Sequence, residues 1–275
     1  MAVDIQWEKM TAPELRALAA RPDAIAVLPI GALEQHGPHL PVNTDTVSAS
    51  AISLMAARLV ADEVPIAVLP GLWLGMSENM NPFGGTISVD YATLHGMLRG
   101  IVRSLKAAGF SRLLIVNGHG GNMNPLAVAT RELAVEYAMP VGAATPWLLA
   151  ADELEAVFET ARGVKHACEG EASLMLAIAP DTVRADMFDE AVRLSQPTRT
   201  KMPRGFSRPF SYAEMAPGSG TQGDPRAATQ EKGQRFLQIQ AEAVARLIRD
   251  PGLWTGPDAV WNAGRGQQSD CDRVD

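Results

Sequence analysis

The chain has 275 residues, 47% of them apolar and 20% charged, with a formal net charge of −7. A length of that order buries a core without needing disulfide or metal staples, and an acidic balance with a pI near 5.3 argues against a nucleic-acid partner, whose phosphates require clustered Lys and Arg. With only Cys168 and Cys271, no apolar run approaching the ~20 residues of a bilayer span and no signal-peptide pattern at the N-terminus, the expectation is a cytoplasmic protein that meets a small solute rather than a membrane.

In chain order, residues 24–30, 65–69 and 112–116 are short, continuous, β-branched runs of the kind found in strands buried on both faces. Between and after them, residues 47–60, 91–108 and 125–137 read as helices; Asp90 is a candidate N-cap and Gly109 a candidate C-terminal stop. Strands alternating with helices predict an α/β fold: a single domain over residues 1–262, layered around a mostly parallel sheet with helices on both faces. Residues 263–275, rich in Gly, Gln, Ser and Asp, read as a flexible tail. No internal repeat divides the chain.

Ligands of such folds gather beyond the carboxyl ends of the strands, and two unusual segments follow strands directly. The first is Glu34-Gln35-His36-Gly37-Pro38-His39, with Asp45 behind it; the second is Asn117-Gly118-His119-Gly120-Gly121-Asn122. Residues two apart in extended backbone point the same way, so Glu34 and His36 can address one centre. Asp45 could bridge two cations. Glu34, His36, Asp45 and His119 thus form a candidate oxygen and imidazole ligand set suited to Zn²⁺ or Mn²⁺, and also to Fe²⁺ or Co²⁺. A phosphate cradle at Gly-His-Gly-Gly is the competing reading, but no Walker lysine or dinucleotide fingerprint accompanies it.

A third segment, from Lys165-His166-Ala167-Cys168 to Glu169-Gly170-Glu171, leads into an apolar helix. His166 could act as a general acid or steady a developing oxyanion, and Glu171 could be a ligand or a proton shuttle. Glu169 reads more simply as a charge on the helix dipole. Two other readings stay open: Cys168 as the thiol nucleophile of a cysteine-dependent amidase, and a non-catalytic module that binds a small ligand. Residues 191–213 hold Arg193, Arg199, Lys201, Arg204 and Arg208 and no acid. They form either a solvated loop or a lid that meets an anionic substrate group.

Together, the Glu34-to-Pro41 run with Thr44-Asp45, the Asn117-to-Asn122 run, His166 with Glu171-Ala172-Ser173, and Gly223-Asp224-Pro225-Arg226 resemble the signatures of the creatinine amidohydrolase (creatininase) family, in its order. The resemblance spans about residues 20–250. It implies a homohexameric α/β enzyme with a binuclear Zn/Mn-type centre that hydrolyses a non-peptide, cyclic or small amide C–N bond through a water held between the metals. By position it makes Glu34, His36, Asp45 and His119 metal ligands, with Asp45 bridging, and gives His166 and Glu171 catalytic roles. Creatininase carries a Glu where this chain has Gly121, so the remaining ligand is assigned to Glu171. Trp147 matches an active-site-loop Trp; with Ser77, Gly120 and Gly121 it is an expected substrate contact. Arg162 falls near a Trp that encloses creatinine, and Ser77-Glu78-Asn79 and Phe83-Gly84-Gly85-Thr86 depart from the usual family residues. The expected substrate is therefore an amide other than creatinine, bearing an anionic group met by Arg162 or the 191–213 segment.

Overall fold

The computed structural model describes residues 4–262, apart from 161, 199–202 and 204. Its sheet has four strands, β1 (Ile25–Ile30), β2 (Ile66–Val68), β3 (Arg112–Asn117) and β4 (Val141–Ala144), in the order β2-β1-β3-β4 with every neighbouring pair parallel. The helices are α1 (Ala12–Ala19), α2 (Thr44–Val60), α3 (Tyr91–Ala108), α4 (Met123–Tyr137), α5 (Pro146–Leu149), α6 (Ala151–Glu155), α7 (Glu169–Ile178), α8 (Phe188–Leu194), α9 (Gln230–Arg249) and α10 (Pro257–Asn262).

Strand alternation divides the core in two. Ile25 and Val27 of β1, with Leu114 and Val116 of β3, pack on one side against Ile52 and Ala56 of α2, Leu174 of α7 and Phe236 of α9. Ala26, Leu28 and Ile30, with Leu113 and Ile115, face the other way onto Leu94 and Leu98 of α3 and Leu126 and Leu133 of α4. Helices on both faces are what two fully buried central strands require, because neither face may meet water. The layered parallel α/β fold expected from the sequence is the one observed.

Local signals explain the best-placed elements. Asp90 caps α3 by accepting from the Thr93 N–H (2.8 Å), and Gly109 ends it with a left-handed φ of 95°. α2 begins at Thr44, three residues before the expected start, so Asp45 lies in its first turn. β4 and α9 were not anticipated: β4 is only Val-Gly-Ala-Ala, too small and short to stand out as an apolar run. No helix among the described residues is long and apolar enough to cross a membrane.

The order β2-β1-β3-β4 reverses chain direction across the sheet between β1 and β3. This is a topological switch point, where the loops after the two strands diverge and leave a crevice. Ile30 of β1 pairs in register with Asn117 of β3, so the loops carrying Glu34-His36 and His119 start side by side. Gly118 closes the gap to α2: a side-chain carbon there would lie 2.3 Å from the Asp45 carbonyl oxygen. Only glycine lets this turn rest on the first turn of α2.

Candidate metal centre

Three strand ends and one helix deliver the site. Glu34 and His36 come from the loop after β1, His119 from the turn after β3, Trp147 from α5 after β4, and Asp45 from the start of α2. Glu34, His36, Asp45 and His119 are all buried. The Asp45 carboxylate is split between two imidazoles: Oδ1 lies 3.1 Å from His36 Nε2 and Oδ2 lies 3.1 Å from His119 Nδ1. Glu34 Oε1 lies 3.2 Å from His119 Nδ1 and 3.5 Å from His166 Nδ1, while Glu171 Oε2 lies 3.8 Å from His36 Nε2.

The far side of each ring explains why these atoms face one another. His36 Nδ1 donates to the Glu34 carbonyl (3.1 Å), His119 Nε2 to the Met76 carbonyl (3.0 Å) and His166 Nε2 to the Gln35 carbonyl (2.7 Å). A carbonyl oxygen can only accept, so each contact fixes an N–H on that side. The Gln35 side-chain nitrogen also lies 3.0 Å from His166 Nε2, but the closer carbonyl decides the tautomer. Each ring then turns its other nitrogen, a bare lone pair in the neutral imidazole, toward carboxylate oxygens. Lone pairs facing lone pairs in a buried space require a positive charge between them, either protons or cations.

Without a cation, protons must serve. Burial opposes charging His36, but the Asp45 charge and hydrogen bond, then the charges of Glu171 and Glu34, hold its pKa up at about 10. Burial likewise opposes His119, and Glu34 and Asp45 raise it well above the usual histidine value. His166 goes the other way, pushed well below the ordinary value by burial and then by His36. Burial lifts the Glu171 carboxyl to about 7 against the pull of His36.

Divalent cations fit these residues. Two triads, Glu34-Asp45-His119 and His36-Asp45-Glu171, each bring ligand atoms within 4.8 Å of one another and share Asp45. Glu34-His36-His166 forms a third such group. Among the described residues Glu34 Oε2 has no hydrogen-bond partner, and Asp45 Oδ2 meets only the bare Nδ1 of His119, the orphaned state expected of buried oxygens shaped for an ion. His36 and His119 fall in different triads joined by Asp45.

Glycine at 121 has a positive reason. A side-chain carbon there would lie 2.3 Å from the Met76 oxygen and 2.4 Å from His119 Nε2, so the space is taken by the hydrogen bond that orients His119. Glu171 reaches in from the first turn of α7 instead. Its Oε2 accepts from the Ala167 N–H at 2.5 Å, and His39 Nε2 donates to the Ala167 carbonyl at 3.0 Å. These two bonds hold Ala167 at a left-handed φ of 53°, a conformation that an alanine adopts only at a cost of ~1–2 kcal/mol.

Other expected residues sort clearly. Trp147, Gly120 and Gly121 line a cavity of about 650 Å³ that also reaches Glu34, His119 and Glu171. Ser77 is not among the residues lining it: it is wholly buried, and among the described residues its hydroxyl has no hydrogen-bond partner. Arg162 is almost fully exposed and faces Glu155 at 3.8 Å, away from the cavity wall. From the 191–213 segment, Arg208 does line the cavity, paired with Glu214 (2.6 Å); Arg193 pairs with Glu190, and Arg199, Lys201 and Arg204 lie outside the described residues.

Glu169 is structural. It accepts from the backbone of Glu159 and Thr160, from the Thr160 hydroxyl and from Lys232 Nζ (2.6 Å), tying the loop before α7 to α9. Cys168 is buried off the cavity wall, and burial pushes its thiol up to about 11. His166, with its ring nitrogens turned to Gln35 and Glu34, offers it no base. The thiol-nucleophile reading has no geometry behind it. His166 also keeps no N–H for a developing oxyanion; its free nitrogen is an acceptor.

Sequence reasoning passed over Tyr212. It lies in a short helical turn at Tyr212–Glu214, capped by Ser211 and packed with Met80 and Ala216, and its ring stands edge-on to His166 at 5.1 Å between centroids. Burial holds its phenol well above the usual tyrosine value, so it stays protonated. Nothing in the local sequence marks it.

Comparison with known proteins agrees with this construction. Residues 8–248 match the family model "Creatininase: Creatinine amidohydrolase". Creatinine amidohydrolase of Pseudomonas putida is 31% identical over 260 residues, covering 88% of this chain and 95% of the relative. A mycofactocin precursor peptide peptidase of Mycobacterium tuberculosis is 34% identical over 231 residues, covering 81% of this chain and 84% of the relative. A solved manganese form of creatininase superposes with a TM-score of 0.74 at 30% identity, covering 90% of this chain and 98% of that one. Fold, motif order and sequence agree over nearly the whole length, and the chain belongs to the creatininase family, whose fold is that of metal-dependent amidohydrolases.

Proposed function

We propose that this protein is a metal-dependent hydrolase of a non-peptide amide C–N bond, acting on a substrate larger than creatinine that carries an anionic group. The observation that carries the reading is the set of three imidazoles, each locked by a backbone carbonyl so that its free nitrogen meets buried carboxylates. Glu34, Asp45 and His119 would hold one divalent ion, and His36, Asp45 and Glu171 the other. Zinc and manganese are the favoured metals, since creatininase structures include a zinc–zinc form and a manganese form. Two such ions lower the pKa of water and polarise a carbonyl.

The chain's own groups do the rest. Glu171, which lines the cavity with its Oε2 at 3.8 Å from His36 Nε2, can take the proton released by the attacking water and return it to the leaving nitrogen. His166, neutral and bare at Nδ1, faces Glu34 at 3.5 Å and would be a further ligand to a cation that sits between them. The cavity, about 650 Å³ with Met76, Trp147, Val164 and Phe210 among its walls, is of the size that encloses a drug-like molecule. Creatinine, a single five-membered ring, would fill a small part of it. Lys165 and Arg208 line the same cavity and suit a carboxylate on the substrate.

Metal analysis of the purified protein, followed by a screen of cyclic amides, formamides and open-chain amides in matched pairs with and without a carboxylate, tests the reading. Hydrolysis that is lost to a chelator, restored by Zn²⁺ or Mn²⁺ and faster for the carboxylated partner is expected. Turnover that survives metal removal would refute it. A second reading, cleavage of a peptide bond, draws on the cavity's size and on the mycofactocin precursor peptide peptidase relatives; a short peptide in the same panel decides between the two.

A further inference from the structure

We infer that the Tyr212 hydroxyl is the hydrogen-bond donor that steadies the oxyanion formed as the amide carbonyl is attacked. The inference rests on the hydrolytic reading above and assigns a role that His166 is not built to fill.

Acyl transfer at an amide places negative charge on the carbonyl oxygen. Water oxygen adds to the carbonyl carbon, the C=O π pair moves onto oxygen, and on collapse the C–N bond breaks with its pair going to nitrogen, which takes up a proton. A fixed donor aimed at that oxygen is often the largest single contribution to such a reaction. Among the imidazoles beside the cavity none has an N–H to give: the Nε2–H groups of His119 and His166 and the Nδ1–H of His36 are spent on the carbonyls of Met76, Gln35 and Glu34. The nitrogens on their inner sides face carboxylates.

Tyr212 has what they lack. It lines the cavity shared with Glu34, His119, His166 and Glu171, and only 7% of its surface is exposed. Among the described residues its hydroxyl has one hydrogen-bond partner, Gln222 Oε1 at 3.5 Å, far beyond the usual 2.7–2.8 Å of an O–H···O bond. A buried phenol without a good partner costs stability unless something else accepts its hydrogen bond. The scaffold holds it still for that purpose. The Ser211 and Glu214 capping box fixes the turn, Tyr212 shares a buried cluster with Met80 and Ala216 against which Phe83 and Met215 pack, and Gln222 is pinned by its own N–H to the His166 carbonyl (2.8 Å). No proton leaves the phenol; it donates a hydrogen bond that strengthens as charge develops.

Tyr212→Phe keeps the ring packing and removes the donor. Two measurements on metal-loaded protein test the role. The first is binding, by calorimetry, of phenylphosphonamidate, a tetrahedral anion, and of benzamide, a planar neutral amide. Tyr212→Phe should lose about tenfold or more on the phosphonamidate, with benzamide binding and metal content unchanged. The second is turnover of whichever amide the screen identifies, where kcat should fall about 100-fold with KM within about threefold. Phosphonamidate affinity unchanged in the variant, or no phosphonamidate binding by the wild-type protein, would overturn the inference. Should the wild-type protein hydrolyse no amide, the proposed function falls, while the binding comparison still decides what Tyr212 does. A variant that misfolds is recognised by lost metal and lost cooperative unfolding; a ring-fluorinated tyrosine at position 212 then keeps the packing and makes the hydroxyl a stronger donor, which should tighten phosphonamidate binding, and an unchanged or weaker affinity would count against the phenol.

Discussion

Gly121→Ala separates a glycine kept for its backbone from one kept for its neighbour. The new methyl would lie 2.3 Å from the Met76 carbonyl oxygen and 2.4 Å from His119 Nε2, where atoms in van der Waals contact sit about 3.5 Å apart. One partner must retreat by roughly 1 Å, which breaks the 3.0 Å bond that fixes the His119 ring. Loss of a hydrogen bond that orients a metal-ligating histidine typically weakens metal binding about 10- to 100-fold, or about 1.4–2.7 kcal/mol. Gly120→Ala is the control, because a carbon at that position meets nothing within 4 Å. Competition against a chromophoric chelator would measure Zn²⁺ affinity and stoichiometry in both variants, with circular dichroism confirming that each is folded. Wild-type affinity in Gly121→Ala, or an equal loss in Gly120→Ala, would refute the argument that His119 is oriented through Met76 toward a metal.

Other expectations follow from the same geometry. In metal-free protein His36, held at about 10 with burial opposed by Asp45, is protonated at neutral pH, so loading must expel its proton. Apparent metal affinity therefore rises as pH approaches that value and falls toward acid; calorimetry in buffers of different ionisation enthalpy should detect release of at least one proton, and none released would sink the reading. Lys232→Met strips the ammonium from Glu169, a fully buried carboxylate held at 2.6 Å, and should cost about 3 kcal/mol of stability. Adding Glu169→Gln should recover part of it. Denaturant unfolding with both variants within about 0.5 kcal/mol of wild type would show that the pair is solvated.

Much of the site could be read without coordinates because its signals are local. Buried β-branched runs marked β1 and β3, Asp90 and Gly109 bounded α3, and the candidate ligands followed their strands so closely that the fold had to bring them to one rim. Asp45 as the link between two imidazoles was also legible, from a carboxylate placed at a helix start behind the Glu34-His36 pair.

What the sequence by itself determined was the layering, the family and the inventory of ligand types; what only the tertiary structure decided was which atom of each ligand is free. His119 takes its orientation from a carbonyl 43 positions away, and the inner face of His166 is set by one 131 positions away. No periodicity or spacing encodes such partners. Ser77 reads as a substrate contact in the chain and is wholly buried in the fold, and Tyr212 reads as an unremarked loop residue and stands against the site. The physical reason is the same in each case: hydrophobic period and caps act between near neighbours, whereas hydrogen-bond direction and burial are fixed only when distant segments meet.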